Sequence, residues 1–259
     1  MNKSIAFIII AYRPKMRDFR RLLRTLEGYP VIIVDNGGTL TLDDVGRATL
    51  LSQTKNVGYG AAANIGIHNA SGFGAKWFVI LNQDMVLTRP AVLSLIRQLR
   101  KLPPCVAGTF AAGLDESRWT TILPSKKLDY LTGSCVAIHE RIIGKVGYFY
   151  EPYFLYYEDA DYCIRTKNAG YPLTRIDLVD VAHEESASLG RGSELHQYYL
   201  ARNHMLFVAR LAPTPVKLYE FFRLGKTLYE HVARREKGAL LGLRDFVFGR
   251  FGMIKEGKL

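Results

Sequence analysis

The apolar runs IAFIIIAY (5–12) and PVIIVDN (30–36), with MRDFRRLLRTLEGY between them, restrict the fold more than any other feature of this chain. A strand with one wet face alternates apolar and polar residues, so a continuous apolar run marks a strand covered on both faces. The intervening segment carries leucines at helical period and stops at Gly28, as a helix does near its C-cap. The pattern repeats. ATLLSQT reads as a third, weaker strand, GAAANIGIHNA as a helix, KWFVILNQD as a fourth strand, and RPAVLSLIRQLRKL as a helix with Pro90 in its first turn. Alternation of this kind predicts an α/β fold: a Rossmann-like, open, mostly parallel sheet with helices on both faces. From about residue 105 the order loosens into short strands (CVAGTF, GSCVAIH, LTRIDLV) around a helix, EDADYCIRTKNAG, and then the long helical SELHQYYLARNHMLFVARL.

Composition narrows the class. A chain of 259 residues, 48% hydrophobic and 23% charged, is a folded globular protein of one large domain plus an appendage. The cysteines Cys105, Cys135 and Cys163 are odd in number and widely spaced, which suggests neither a disulfide framework nor a zinc site and suits a reducing cytoplasm. Lys3 before the first apolar run invites comparison with a signal peptide, but RPKMRDFRR follows at once where a small-residue cleavage site belongs, so a buried first strand is expected. No stretch approaches the roughly 18 apolar residues that span a bilayer. Of the net charge of +11, +6 lies in residues 204–259, which hold eleven Lys and Arg against five Asp and Glu. That imbalance needs an anionic partner or a solvated face.

In open α/β sheets, ligands bind beyond the carboxyl ends of the strands. Here the strand ends carry Tyr12, Asp35 with Asn36, and Asn82-Gln83-Asp84, two of them acid-bearing. Gly58-Tyr59-Gly60-Ala61-Ala62-Ala63 matches the spacing of a dinucleotide fingerprint, but such glycines belong after the first strand, and the first strand here runs into AYRPKMRD. A small-residue turn that lets a helix start close to the sheet is therefore the expected role of these glycines.

Seven segments then carry a resemblance. IIVDN, NVGYGAAANIGI, FVILNQDM, YLTGSCVAIH, YFLYYEDADYCIR, AHEESAS and YYLARN stand in the order and spacing of inverting family-2 glycosyltransferases, and resemble most the rhamnosyltransferase-type members that build bacterial surface polysaccharides. The likeness runs over about residues 5–207. It implies the GT-A fold in a domain of residues 1–207, followed by a basic helical segment, 208–259. It also implies a nucleotide-sugar donor (dTDP-rhamnose, or another dTDP- or UDP-sugar) and a saccharide or lipid-linked acceptor. A divalent cation, Mg²⁺ or Mn²⁺, would be held by Asp84 and His183, and Asp159 would be the general base beside Glu158 and Asp161. Tyr12, Asp35 and Asn36 are expected near the nucleotide, with Asn56, Gly58 and Asn64 in the loop beside it. Asn82 and Gln83 belong to the motif of Asp84, Gly133 and Ser134 are expected near the transferred sugar, and Arg202 near the diphosphate or acceptor. Two departures stand out: Asn82 occupies the place of the motif's first acid, and Tyr150 a place where related sequences often have Asp.

The residue types suit that chemistry. Departure of a nucleoside diphosphate develops negative charge that a hard cation on oxygen ligands stabilises, and an attacking hydroxyl needs a base. Plainer roles exist for each residue: helix-capping acids at 158–161, a turn histidine at 183, and a solvated arginine at 202. A pyrophosphorylase would want a glycine-rich loop straight after the first strand, and nothing marks a nucleic-acid binder. A silent sugar-nucleotide binder would have less use for Asp84, Asp159 and His183 together. In the tail, Leu218, Phe221, Phe222, Leu228, Tyr229 and Val232 recur at helical spacing among Lys217, Lys226, Arg234 and Arg235, which suits either a peripheral site on the cytoplasmic face of an inner membrane or a helix packed on the domain.

Overall fold

The computed structural model describes residues 4–122, 125–183 and 192–255, with the side chain of His183 outside the description. The chain runs β1 (Ile5–Ala11), α1 (Met16–Thr25), β2 (Val31–Asp35), α2 (Leu42–Val45), β3 (Thr49–Ser52), α3 (Tyr59–Ser71), β4 (Trp77–Asn82), β5 (Met85–Leu87), α4 (Arg89–Leu99), β6 (Val106–Gly108) and β7 (Ala111–Leu114). It continues through β8 (Thr121–Ile122), β9 (Tyr130–Leu131), β10 (Cys135–His139), α5 (Glu140–Val146), α6 (Glu158–Asn168), β11 (Leu173–Arg175), β12 (Val181–His183), α7 (Glu194–Leu211), α8 (Thr214–Ala233) and α9 (Lys237–Val247).

The main sheet has the order β11-β6-β10-β4-β1-β2-β3. Its pairs are parallel except where β10 lies antiparallel between β4 and β6. The mostly parallel sheet expected from the apolar runs is thus observed, with β10 as the strand that periodicity did not orient. β1 is buried at every residue. Successive side chains of a strand point to opposite faces. Accordingly Ala6, Ile8 and Ile10 join one core with Ala62, Ala63 and Ile67 of α3, while Ile5, Phe7 and Ile9 join a second core with Phe19 and Leu22 of α1 and Val92 and Leu95 of α4. Each fully buried Ile or Leu contributes roughly 1.5–3 kcal/mol. That two-sided burial places β1 at the middle of the molecule.

The glycines after β3 serve packing. Gly58 has φ +90, and a Cβ there would meet the Phe154 carbonyl oxygen at 2.5 Å. A Cβ at Gly66 would overlap Ile8 Cγ2, so α3 lies as close to β1 as a helix can. Within the dinucleotide-like spacing, Gly60 is also a packing position, where a Cβ would meet Phe149 Cβ at 3.2 Å.

Past α7 the basic segment divides into two helices with different surroundings. α9 packs along α7, where a Cβ at Gly238 or Gly242 would overlap the carbonyl oxygens of Glu194 and Tyr198. Residues beyond it return to the body, Gly252 N–H donating to the Pro152 carbonyl at 2.8 Å. α8 keeps Val216, Glu220 and Thr227 buried and turns most of its remaining surface to solvent. No helix among the described residues is long and apolar enough to cross a membrane.

Because backbone at the α7–α9 contact cannot move aside as a side chain can, Gly238→Ala is expected to destabilise the fold by about 1–3 kcal/mol. Gly144, inside α5 with no neighbour near a built Cβ, is the control: Gly144→Ala should stabilise by about 0.5–1 kcal/mol. Thermal denaturation of the two variants checks both signs.

Candidate active site at the strand ends

Several polar residues at the strand ends hold the rim together. The Gln83 side chain grips the end of β1 in both directions, accepting from Tyr12 N–H at 2.6 Å and donating to the Tyr12 carbonyl at 3.1 Å. Asp35 is fully buried, its two oxygens accepting from the N–H groups of Gly37 (3.1 Å) and Leu40 (2.7 Å). Asn36 donates to Asn56 Oδ1 (2.8 Å) and accepts from Val57 N–H (2.8 Å), while Asn56 Oδ1 also takes Gly58 N–H at 2.9 Å. Asn64 bridges to the backbone of Phe149, donating to its carbonyl (3.0 Å) and accepting from its N–H (2.9 Å). These groups shape the crevice. Tyr12 is left with a half-exposed ring at its edge.

The acidic groups meet around a residue that sequence reasoning passed over. Tyr59, first residue of α3, donates its hydroxyl to the Gly133 carbonyl. Gly133 N–H in turn donates to Asp159 Oδ2 at 3.0 Å. The next residue, the buried Ser134, accepts Asn82 N–H on its carbonyl at 3.0 Å, which ties this corner to the end of β4. Burial lifts the Tyr59 phenol well above its ordinary range, and the negative charges of Glu158, Asp159 and Asp84 push the same way. Gly133 thus links Tyr59 to Asp159, and Ser134 links the same corner to Asn82, two residues before Asp84. The only sequence signal for Tyr59 was a large phenol between two glycines.

The segment presenting the acids is strained. Phe154, Tyr156 and Tyr157 have φ of 68, 67 and 73° and none is glycine. Such conformations cost of order 1–3 kcal/mol each and persist only where surroundings enforce them. α7 enforces them. Asn203 Nδ2 lies 2.8, 2.6 and 3.1 Å from the carbonyls of Tyr153, Leu155 and Tyr156. Arg202, expected near the diphosphate or in solvent, is fully buried instead. Its Nε donates to Asn203 Oδ1 (2.9 Å), Nη1 to the Gly252 carbonyl (2.6 Å) and Tyr198 hydroxyl (3.3 Å), and Nη2 to the carbonyls of Tyr153 (2.7 Å) and Pro152 (3.4 Å). Every guanidinium donor is used inside the protein.

The three acids of the YYEDADY stretch part company. Asp161 is fully buried between Arg165 (2.6 Å) and Arg210 (3.1 Å), and also accepts from the Tyr153 hydroxyl, so it anchors α6. Glu158 is buried, and its Oε2 has no hydrogen-bond partner among the described residues. Burial first, and the adjacent Asp159 charge second, raise its carboxyl well above the ordinary range. Asp159 is partly exposed. Burial raises it too, but N–H donors from Gly133 and Ala160 (2.8 Å) oppose the rise. The two adjacent acids thus stand in unlike surroundings: Glu158 is buried, and Asp159 is partly exposed and held by the N–H groups of Gly133 and Ala160.

Asp84 is partly buried in the turn between β4 and β5. β12 pairs with β5 so that His183 stands opposite Met85, which brings its backbone beside Asp84. The His183 side chain and residues 184–188 of the AHEESAS motif lie outside the described residues. Among those described, no cluster of three metal-ligating side chains forms.

Residues 17–164, more than half the chain, match the family described as glycosyl transferase family 2. The chain belongs to that family. It is 24% identical to the low-salt glycan biosynthesis hexosyltransferase Agl10 of Haloferax volcanii, over 80% of this chain and 76% of that one. It is 25% identical to the N-acetylglucosaminyl-diphospho-decaprenol L-rhamnosyltransferase of Mycobacterium tuberculosis, over 79% and 82% of the two chains. With the dTDP-rhamnosyl transferase RfbF of Shigella flexneri it shares 23% over 81% of each. Among solved structures, S. aureus TarS 1–349 superposes with a TM-score of 0.57 at 12% identity over 95% of this chain and 92% of that one. The chain spans 43% of a longer TarS chain. GalNAc-T7 with UDP, GalNAc and Mn²⁺ gives a TM-score of 0.56 at 10% identity over 89% of this chain and 57% of that one. The fold is GT-A, as the resemblance implied, and the glycosyltransferase adds a C-terminal helical region to it.

Two outcomes are expected from this geometry. Asn203→Ala frees three carbonyls beneath the strained segment, and kcat is expected to fall about tenfold or more while donor KM stays within about twofold; steady-state kinetics separate the two. Glu158 is held above its unfolded-state value, so its contribution to stability is complete below the ordinary carboxylate range and is lost as pH rises through the raised value. Glu158→Gln cannot ionise, so its stability relative to the parent should increase as pH rises above the ordinary carboxylate range, which melting curves over a pH series read directly.

Proposed function

We propose that this family-2 glycosyltransferase is a metal-assisted inverting rhamnosyltransferase. Its donor is dTDP-rhamnose, and its acceptor is a saccharide or lipid-linked saccharide of a growing bacterial surface polysaccharide such as lipopolysaccharide. The work takes place in the cytoplasm, at the inner-membrane surface. The names of the Mycobacterium and Shigella relatives support the sugar, and the diphospho-decaprenol in the former supports a lipid-borne acceptor. The observation that carries the reading is Asp159, a partly exposed carboxylate fixed by the Gly133 N–H, with Ser134 beside it hydrogen-bonded to Asn82 of the Asp84 motif.

The residues divide the reaction among themselves. Asp159 accepts the proton of the acceptor hydroxyl as that oxygen attacks the anomeric carbon from the side opposite the leaving group. The carbon–oxygen bond to the diphosphate breaks with inversion, and the nucleoside diphosphate leaves with the electron pair. Its raised pKa keeps Asp159 basic enough for the transfer, and the bonds from Gly133 and Ala160 fix its direction. The rise that burial imposes on Glu158 favours its neutral form, which spares the site a second negative charge next to the departing diphosphate.

A divalent cation fits the donor chemistry. Asp84 offers a hard carboxylate at the strand end, and the pairing of β12 with β5 puts the His183 backbone beside it. With few protein ligands, diphosphate oxygens and water complete such a shell. When bound, the cation offsets the charge that develops on the leaving diphosphate.

The test is a nucleotide-release assay over a panel of sugar nucleotides, with and without Mn²⁺, using a lipid extract as acceptor. Asp159→Asn is expected to lose about 10²- to 10⁴-fold in transfer while donor binding survives. Full turnover by that variant would remove the base, and preference for a donor other than dTDP-rhamnose would reassign the sugar.

A further inference from the structure

α8 presents an apolar face that the rest of the chain leaves uncovered. Leu218, Phe221, Phe222, Tyr229 and Val232 recur at helical spacing and are 52, 68, 80, 73 and 59% exposed. Scattered apolar residues on a surface mean little, but a contiguous face with two adjacent phenylalanines marks an interaction site. The opposite side of the helix is satisfied by the body, where Val216 joins Val208 and Ala212, and Glu220 takes Arg118 Nε at 2.7 Å.

The charges around this face identify what covers it. The acids of α8 are already spent: Glu220 on Arg118, and Glu230 on Arg223 at 3.1 and 3.2 Å. Glu236, just beyond the helix, meets His231 at 2.5 Å. Lys217, Lys226, Arg234 and Arg235 enter no ion pair among the described residues. The fringe of the apolar face is therefore cationic. A second copy placed face to face would bring these cations together with no acid to separate them. An apolar layer edged by phosphates matches both the face and its fringe.

We propose that the outward face of α8 is a docking surface for an anionic phospholipid bilayer, with Phe221, Phe222 and Tyr229 entering the interface and the flanking Lys and Arg meeting headgroup phosphates. The proposal rests on the functional reading only for the benefit docking brings to a lipid-borne acceptor. That benefit has a structural route. α9 fastens the C-terminal region to α7, and Gly252 is hydrogen-bonded to both Pro152 and Arg202. Docking at α8 thus holds the segment that presents Asp159 at a fixed relation to the membrane surface.

The test uses the full chain, because removing α9 would uncover the buried face of α7. Cosedimentation is measured with phosphatidylcholine vesicles and with vesicles containing about one-third phosphatidylglycerol, at low and high salt. The protein is expected to bind the anionic vesicles, to ignore the neutral ones, and to release as salt rises. The double variants Phe221→Ser/Phe222→Ser and Lys226→Glu/Arg235→Glu should each weaken binding by about tenfold or more. All four side chains are outside the crevice, so unchanged melting temperatures confirm that the fold is retained. Undiminished binding by the phenylalanine variant overturns the proposal, as does equal binding to neutral and anionic vesicles. A concentration-dependent dimer that the phenylalanine variant dissolves assigns the face to a second copy and overturns it as well. Vesicle binding needs no donor sugar, so its failure leaves the transfer reaction standing, and failure of transfer leaves docking standing.

Discussion

A buried guanidinium holds the functional end of this transferase together. Arg202 sits between the rings of Tyr198 and Tyr199, 5.2 and 5.0 Å from their centroids, and spends its donors on carbonyls and polar groups from α7, residues 152–153 and Gly252. Among the described residues no carboxylate pairs with it directly, and the buried Asp245 reaches it through the Tyr198 hydroxyl. A buried charge without a direct ion pair is tolerated when its hydrogen bonds are complete and the surroundings polarisable, and both conditions hold. The cost of that arrangement explains its reach: three separate stretches of chain must be in place before Arg202 is satisfied, so the clamp closes only when the fold is finished.

What the clamp supports is conformational strain in a useful place. Phe154, Tyr156 and Tyr157 adopt a left-handed backbone immediately before the acids of α6. Without Arg202 and Asn203 the segment would relax to ordinary conformations, and the first turn of α6 would lose its aim. Gly58 completes the fit from the other side, since any side chain there would press on the Phe154 carbonyl. The segment is thereby carried by rigid neighbours although it lies at a turn, which suits the role proposed for Asp159.

Much of this was legible in advance. The apolar runs gave β1, β2 and β4 and their parallel arrangement, and helical periodicity gave α1, α3, α4, α6 and α7. The strand-end rule pointed to the rim formed by Tyr12, Asp35 and residues 82–84. Its polar residues were harder to read, because an Asp, Asn or Gln at a strand end serves a ligand and a loop with the same chemistry. Asp35, Gln83 and Asn64 turn to backbone groups that arrive from distant segments, and no local pattern announces them. Tyr59 went unnoticed for the converse reason: its partner Gly133 lies 74 residues away. The tail read as one amphipathic stretch, yet two glycines facing α7 make α9 part of the body and leave α8 outside.

The sequence by itself determined the two-sided burial of β1, the α/β order and the family, because hydrophobic period and motif spacing are properties of neighbouring residues. Which acid is buried, which arginine is hidden and which helix faces outward were decided by the tertiary structure alone. Burial and electric field are set by groups that only the folded chain brings within a few ångströms.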